Sequence, residues 1–244
     1  MVANEKITAP STVKNEIIFP QGEFWSNEPT LETYQHLQQI IILLNSLQLL
    51  WADKEDYFCA GNLTIYYSPN QKKSEYFRGP DFFVVLNTSN DENRKSWVVW
   101  EEGGKYPNVI VEILSDSTAK TDREEKKEIY QDIFRTPDYF WFDPFTLEFQ
   151  GFRLVGGKYQ AIKPNEQGWL YSEQLELYLG IHERKLRYFT SDGKLVPTPQ
   201  ESSQYERQQK EYERQQKELA LQKIEKWKQK LQELGINPDE FPDN

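Results

Sequence analysis

The sequence predicts an α/β domain followed by one long helix. Residues 109–114 (Val-Ile-Val-Glu-Ile-Leu) and 139–142 (Tyr-Phe-Trp-Phe) are apolar runs without alternation, the pattern of strands buried on both faces. Between them, residues 119–134 have helical character, and Thr136-Pro137 supplies the stop. From residue 205 a seven-residue unit, Tyr-Glu-Arg-Gln-Gln-Lys-Glu, occurs twice in succession.

A chain of 244 residues holds one domain with appendages, or at most two. The punctuation suggests an arm over residues 1–29, a domain over 30–196 and a helical tail over 197–244. With 14 Phe, 14 Tyr and 7 Trp, the domain can fill a core. No apolar run nears the roughly 18 residues of a membrane span. Residues 1–16 lack the apolar segment of a secretory signal. The single cysteine, Cys59, can form no intrachain disulfide and reads as core, so a cytoplasmic location is the expectation. The net charge is −10, of which residues 201–244 contribute −2. That balance argues against a protein that coats nucleic acid electrostatically. It leaves room for a local basic patch, or for carboxylates that gather a divalent cation.

Taken in order, Thr30 is a candidate N-cap, and Leu31, Tyr34, Leu37, Ile41, Leu44 and Leu47 recur at helical spacing over 31–50. Residues 57–60 and 62–67 read as strands separated by Gly61, and 82–86 as a further strand. Residues 97–100 form a short strand or the edge of an insertion. Residues 148–154 and 158–162 flank Gly156-Gly157, which suits a hairpin turn. Residues 164–180 read as loop with short pieces, and 184–190 as a last strand. In the tail, Leu219, Ile224, Trp227, Leu231 and Leu234 continue an apolar stripe, and Gly235 caps it. Gln occupies half of the seam positions, so the tail is either a weak oligomerisation helix or a solvated one.

Chemistry concentrates between residues 78 and 142. Glu112 lies inside an apolar strand, where a carboxylate is costly unless a cation or hydrogen bonds compensate it. Alternation places Ile110, Glu112 and Leu114 on one face. Asp81 follows Pro80 at the head of another apolar strand. On the helix after residue 119, Ile129, Tyr130, Ile133 and Phe134 define a buried face; Lys126 projects near its centre, Asp122 close by, and Lys127 towards its edge. Lys126 could lay its stem over the core and keep its ammonium wet. The preferred reading is that it meets Asp81 and Glu112, because a lysine in mid-face has little other reason to be there. Two carboxylates on adjacent strands suit Mg²⁺ or Mn²⁺, and a nearby lysine can support an attacking water or a pentavalent phosphorus. Glu32, in the first turn of the first helix, reads foremost as a dipole partner.

These residues carry a resemblance. The order Pro80-Asp81, Val111-Glu112-Ile113-Leu114-Ser115, Asp122-x-x-x-Lys126-x-x-x-Tyr130 and Tyr139-Phe140-Trp141-Phe142-Asp143-Pro144 resembles the bacterial putative restriction endonuclease family, a branch of the PD-(D/E)XK nuclease superfamily. The resemblance covers about residues 30–190, and Glu233-Leu-Gly-Ile-Asn-Pro-Asp-Glu240 is similar to the ending of many members. It implies a restriction-endonuclease-like mixed sheet flanked by helices, a divalent-metal site and DNA as substrate. Asp81 and Glu112 would be the metal-binding acids. The superfamily lysine stands two residues after the acid, where this chain has Leu114; the family resemblance moves it to the following helix, at Lys126, with Lys127 as fallback. Glu32 would match the glutamate that the superfamily often adds from its first helix, and Asp122 is a further accessory candidate.

The expectation is therefore a metal-dependent endonuclease that hydrolyses phosphodiester bonds. The rival reading is a nuclease-fold binding or assembly protein without turnover, self-associating as a homo-oligomer through the tail. Gly103-Gly104 and Gly156-Gly157 lack the context of a phosphate loop. His36, assigned to a polar helix face, and His182, in a loop, are too far apart for a zinc site. Ser115 and Ser117 read as helix caps, and Arg78, Lys72, Lys73 and Arg94 as solvated cations.

Overall fold

The computed structural model describes residues 33–67, 77–115 and 125–235. The chain divides into two units, Met1–Leu195 and Val196–Asn244. In the first, helix α1 (Tyr34–Leu50) is followed by β1 (Tyr57–Gly61), β2 (Ile65–Tyr66), β3 (Phe77–Arg78), β4 (Phe82–Leu86), β5 (Trp97–Val98) and β6 (Val109–Ile113). Helix α2 is α-helical over Lys127–Ile129 and π-helical over Tyr130–Phe134. Then come β7 (Asp138–Phe142), β8 (Phe149–Val155), β9 (Lys158–Ala161), β10 (Leu170–Ser172), β11 (Leu177–His182) and β12 (Lys185–Phe189). The second unit consists of helix α3 (Pro199–Glu233).

The main sheet is mixed, in the order β1-β4-β6-β7-β8-β9. Its one parallel pair, β6 with β7, is joined through α2; the other pairs are antiparallel. The parallel pair lies at the centre, and all five residues of each of its strands are buried. That is why both strands read as unbroken apolar runs. Phe83, Ile110, Leu114, Tyr130, Phe134, Tyr139 and Trp141 belong to one core cluster, so α2 is seated on the sheet by its aromatic side chains. A small sheet, β3-β2-β5, adds Ile65 and Trp97 to that core. Cys59 is buried, and burial pushes its thiol up to about 12, which keeps it in the neutral form.

Several expectations need correction. The N-cap of α1 is Thr33, whose side chain accepts the His36 N–H; Thr30 lies outside the described residues. The buried face is His36, Gln39, Ile40, Ile42, Leu43, Ser46 and Leu47, while Tyr34 is 73% exposed. The stripe through Tyr34 and Leu37 is therefore not the one that meets the sheet. Of residues 62–67, only Ile65 and Tyr66 form a strand, and it belongs to the small sheet rather than the main one. Ile133 is 47% exposed, so it does not share the buried face of α2 with Tyr130 and Phe134. The hairpin between β8 and β9 turns at Gly156 and Gly157, both with positive φ.

Residues 170–172 and 177–182, read as loop and short pieces, are strands of a third sheet, β10-β11-β12. Gly180 lies inside β11. A glycine within a run suggests a break, but here it makes room for an indole. A Cβ at Gly180 would stand 2.1 Å from Trp169 Cδ1. The indole cannot retreat freely, because it is stacked on Phe189 at 3.8 Å. Gly180→Ala is accordingly expected to lower stability by about 1–3 kcal/mol through overpacking. A urea unfolding midpoint unchanged from wild type would contradict this packing.

Candidate active site

The site begins with the pairing of β4 and β6. Phe82 pairs with Val111 and Phe83 with Ile110 in antiparallel register. Extended by one residue, that register sets Asp81 opposite Glu112. The two acids thus meet because an irregular Gly-Pro entry places Asp81 at the head of β4. Two carboxylates held together in a buried site repel one another and lose hydration, so each needs compensation.

Glu112 has no exposure to solvent. Its Oε1 accepts the Tyr130 hydroxyl at 2.6 Å, and its Oε2 lies 3.1 Å from Lys126 Nζ. The Asp81 N–H points at the same Oε2, at 3.4 Å. Lys126 and Tyr130 are four residues apart, so consecutive turns of α2 present both donors to one carboxylate. The Lys126 side chain is 17% exposed, which makes it the member of the pair that reaches the surface. Arg78, on β3, donates to Glu125 next to Lys126, so a second cation stands at the same helix end.

Asp81 is held from two other elements. Its Oδ2 accepts the Ile113 N–H of β6 at 2.7 Å, and its Oδ1 is 2.9 Å from His36 Nε2 of α1. Burial works to raise the Asp81 pKa. The His36 hydrogen bond, the charges of Lys126 and His36, and the Ile113 N–H together outweigh it and hold the carboxyl below its ordinary range.

The structure therefore brings Asp81, Glu112 and Lys126 together. Lys127 does not join them: its ammonium sits 3.4 Å from the centroid of the Phe152 ring, and burial lowers its pKa. Its one-residue offset on the helix turns it towards β8. Leu114, at the position of the superfamily lysine, fills the core instead. Glu32 and Asp122 lie outside the described residues, as do Lys72 and Lys73. Arg94 is bonded to Glu102 through two nitrogens and lies over Phe58 and Trp97, a structural role. Two groups escaped the sequence reading. Tyr130 is read above on the buried face and in the family motif, without a role for its hydroxyl, which the Lys126-x-x-x-Tyr130 spacing places beside the lysine. His36 was assigned to the polar face; its spacing to Ile40, Leu43 and Leu47 is the signal that would have found it.

The donor set is two carboxylates with no thiolate, which suits a hard divalent ion. A carboxylate oxygen has two lone pairs, so a protein contact on it does not by itself bar a cation. Among the described residues no group of three or more His, Cys, Asp or Glu side chains could hold a metal ion. An ion shared by Asp81 and Glu112 would take the rest of its shell from water, as Mg²⁺ commonly does.

The Tyr130 bond is a hydrogen bond to a fully buried carboxyl oxygen. Tyr130→Phe is expected to cost about 1.5–3 kcal/mol of stability by leaving Glu112 Oε1 without that donor. Chemical denaturation of the purified variant checks this, and a loss under about 0.5 kcal/mol would show that the bond contributes little.

Three comparisons bear on the chain as a whole. A search of curated proteins gives no match. A solved structure of a putative nuclease belonging to DUF820, from Anabaena variabilis ATCC 29413, is similar. It is 13% identical, with a TM-score of 0.45, over 63% of this chain and 80% of that one. The Uma2 family, described as "Putative restriction endonuclease", matches residues 5–187. That match spans the main sheet, α1, α2 and every site residue named above, and the chain belongs to the Uma2 family.

Proposed function

We propose that this protein is a divalent-metal-dependent endonuclease that hydrolyses phosphodiester bonds in DNA. The observation that supports the reading is the meeting of Asp81, Glu112 and Lys126 at one end of the β4–β6 pair. Asp81 and Glu112 would hold Mg²⁺ or Mn²⁺. Such an ion, when bound, lowers the pKa of a water and offsets charge on a phosphoryl oxygen. Tyr130 would hold the Glu112 carboxylate, and the Ile113 N–H that of Asp81, in place for the ion. Lys126, partly exposed, has an ammonium that can turn from Glu112 to an attacking water or to a non-bridging oxygen as charge builds there. Arg78, half-buried at the same end, is placed to meet a flanking phosphate.

The test is nicking of supercoiled plasmid by the full chain with Mg²⁺ or Mn²⁺. EDTA is expected to abolish the activity. Glu112→Ala is expected to lower the rate by more than about 100-fold, beyond what loss of an outer-shell partner of a metal costs. Full activity in a folded Glu112→Ala protein would remove the assignment.

A second reading has its own observation. Helix α3, taken by itself, leaves Tyr205, Tyr212, Leu219, Ile224 and Trp227 exposed along its length. It starts with a capping box, in which the Glu201 N–H donates to Thr198 Oγ1 and the Thr198 N–H to Glu201 Oε2. Such a helix suits weak self-association, with or without catalysis. Sedimentation of the full chain is then expected to give a larger mass than a version ending at Pro199 once the difference in chain length is allowed for. Monomer masses for both would end this reading.

A further inference from the structure

We infer that His36 is a positioning residue for Asp81, holding its carboxylate in the orientation in which it meets a divalent cation. This rests on the reading of Asp81 as a metal-binding acid. His36 lies on the buried stripe of α1, in line with Ile40, Leu43 and Leu47, where an imidazole costs free energy unless it is paired. Its Nε2 is 2.9 Å from Asp81 Oδ1.

The position of the ring is itself fixed from two sides. The backbone N–H of His36 donates to the Thr33 hydroxyl in the N-cap. One turn on, Gln39 clamps α1 to β12 with two buried bonds, Nε2 to the Leu186 carbonyl and Oε1 from the Leu186 N–H, each 2.9 Å. A helix anchored in this way carries the imidazole as a rigid post. Asp81 is then held from two separate elements, the Ile113 N–H donating to Oδ2 and the His36 imidazole standing 2.9 Å from Oδ1. The carboxylate plane is set by those two contacts, and among the described residues they leave an acceptor direction on each oxygen for a cation. Carboxylates that ligate metals are typically oriented by outer partners of this kind, and loss of such a partner costs about 10–100-fold in metal affinity. The alternative is that His36 merely ties α1 to the sheet, in which case its removal would lower stability and leave the affinity of the folded protein for metal unchanged.

Calorimetric titration of the full chain with Mn²⁺ separates the two, alongside metal-free thermal melts. His36→Ala is expected to weaken Mn²⁺ binding about 10–100-fold. His36→Gln, whose Nε2 reaches about as far as that of the imidazole, is expected to restore most of the affinity even where its melting temperature stays below wild type. Should the alanine variant fail to fold, His36→Asn, whose shorter amide stops short of Asp81, takes its place with the same expectation. Wild-type Mn²⁺ affinity in the alanine or asparagine variant would overturn the positioning role alone. So would a glutamine variant that binds as weakly as they do. No Mn²⁺ binding by the wild-type chain would overturn the role together with the metal reading beneath it.

Discussion

The structure around the site depends on holding one acid, Glu112, fully buried in the central strand. Such a group loses its hydration and must recover it from the protein. It does so from a phenol, an ammonium and a backbone N–H. The first two come from α2, so that helix must dock at a particular rotation and height on the sheet. Its aromatic anchors supply that seat: Tyr130 packs edge-on to Tyr139, and Phe134 touches Tyr130, Tyr106 and Tyr67. Tyr130 belongs to both sets, with its ring in the core and its hydroxyl on Glu112. Core packing and site geometry are thus fixed by one side chain.

A second buried carboxylate shows what distinguishes a site from a structural knot. Asp138, at the start of β7, is as inaccessible as Glu112. Its oxygens accept from Arg153 Nε, Ser172 Oγ and the Gln174 N–H. Arg153 also donates to the Tyr171 carbonyl, so the cluster ties β7 and β8 of the main sheet to β10. Its carboxylate shares the Arg153 guanidinium with the exposed Glu173, and that arrangement explains itself by holding two sheets together. At Glu112 a second carboxylate is brought alongside, which opposes stability unless a cation offsets it. Glu173 keeps its hydration at the surface, whereas Asp81 is itself buried, and a second buried acid is what a purely structural account does not require.

The legible parts of the chain were those where burial acts on both faces. Strands β6 and β7 sit in the middle of the sheet, so their interior positions are apolar, and Glu112 stands out in mid-strand for that reason. Helix α1 was legible as a helix but not in its orientation. Residues 40–44 are Ile-Ile-Ile-Leu-Leu, which satisfy any rotation about the axis, and the stripe through Tyr34 and Leu37 looked as good as the one through Ile40 and Leu43. With the face misplaced, His36 fell on the solvent side and its pairing with Asp81 went unseen. In the third sheet the place of Gly180 depends on Trp169, eleven residues away. A contact of that kind leaves no periodic trace in the sequence.

Moving the lysine from the strand to the helix has a physical consequence. A lysine at position 114 would be carried by the same strand as the acid, and its geometry would follow from the pleat alone. Here Leu114 fills the core and the ammonium arrives on α2. Its position relative to Glu112 therefore depends on a helix–sheet contact, which small shifts of α2 can change. The same shift would move the Tyr130 hydroxyl, because the two donors lie on one helix. The acid, the phenol and the ammonium then act as a coupled set, while Asp81 is held separately through α1 and β6. Two independent mountings converge on one pair of carboxylates. Disturbance of either mounting changes the distance between the acids, and with it their ability to share a cation.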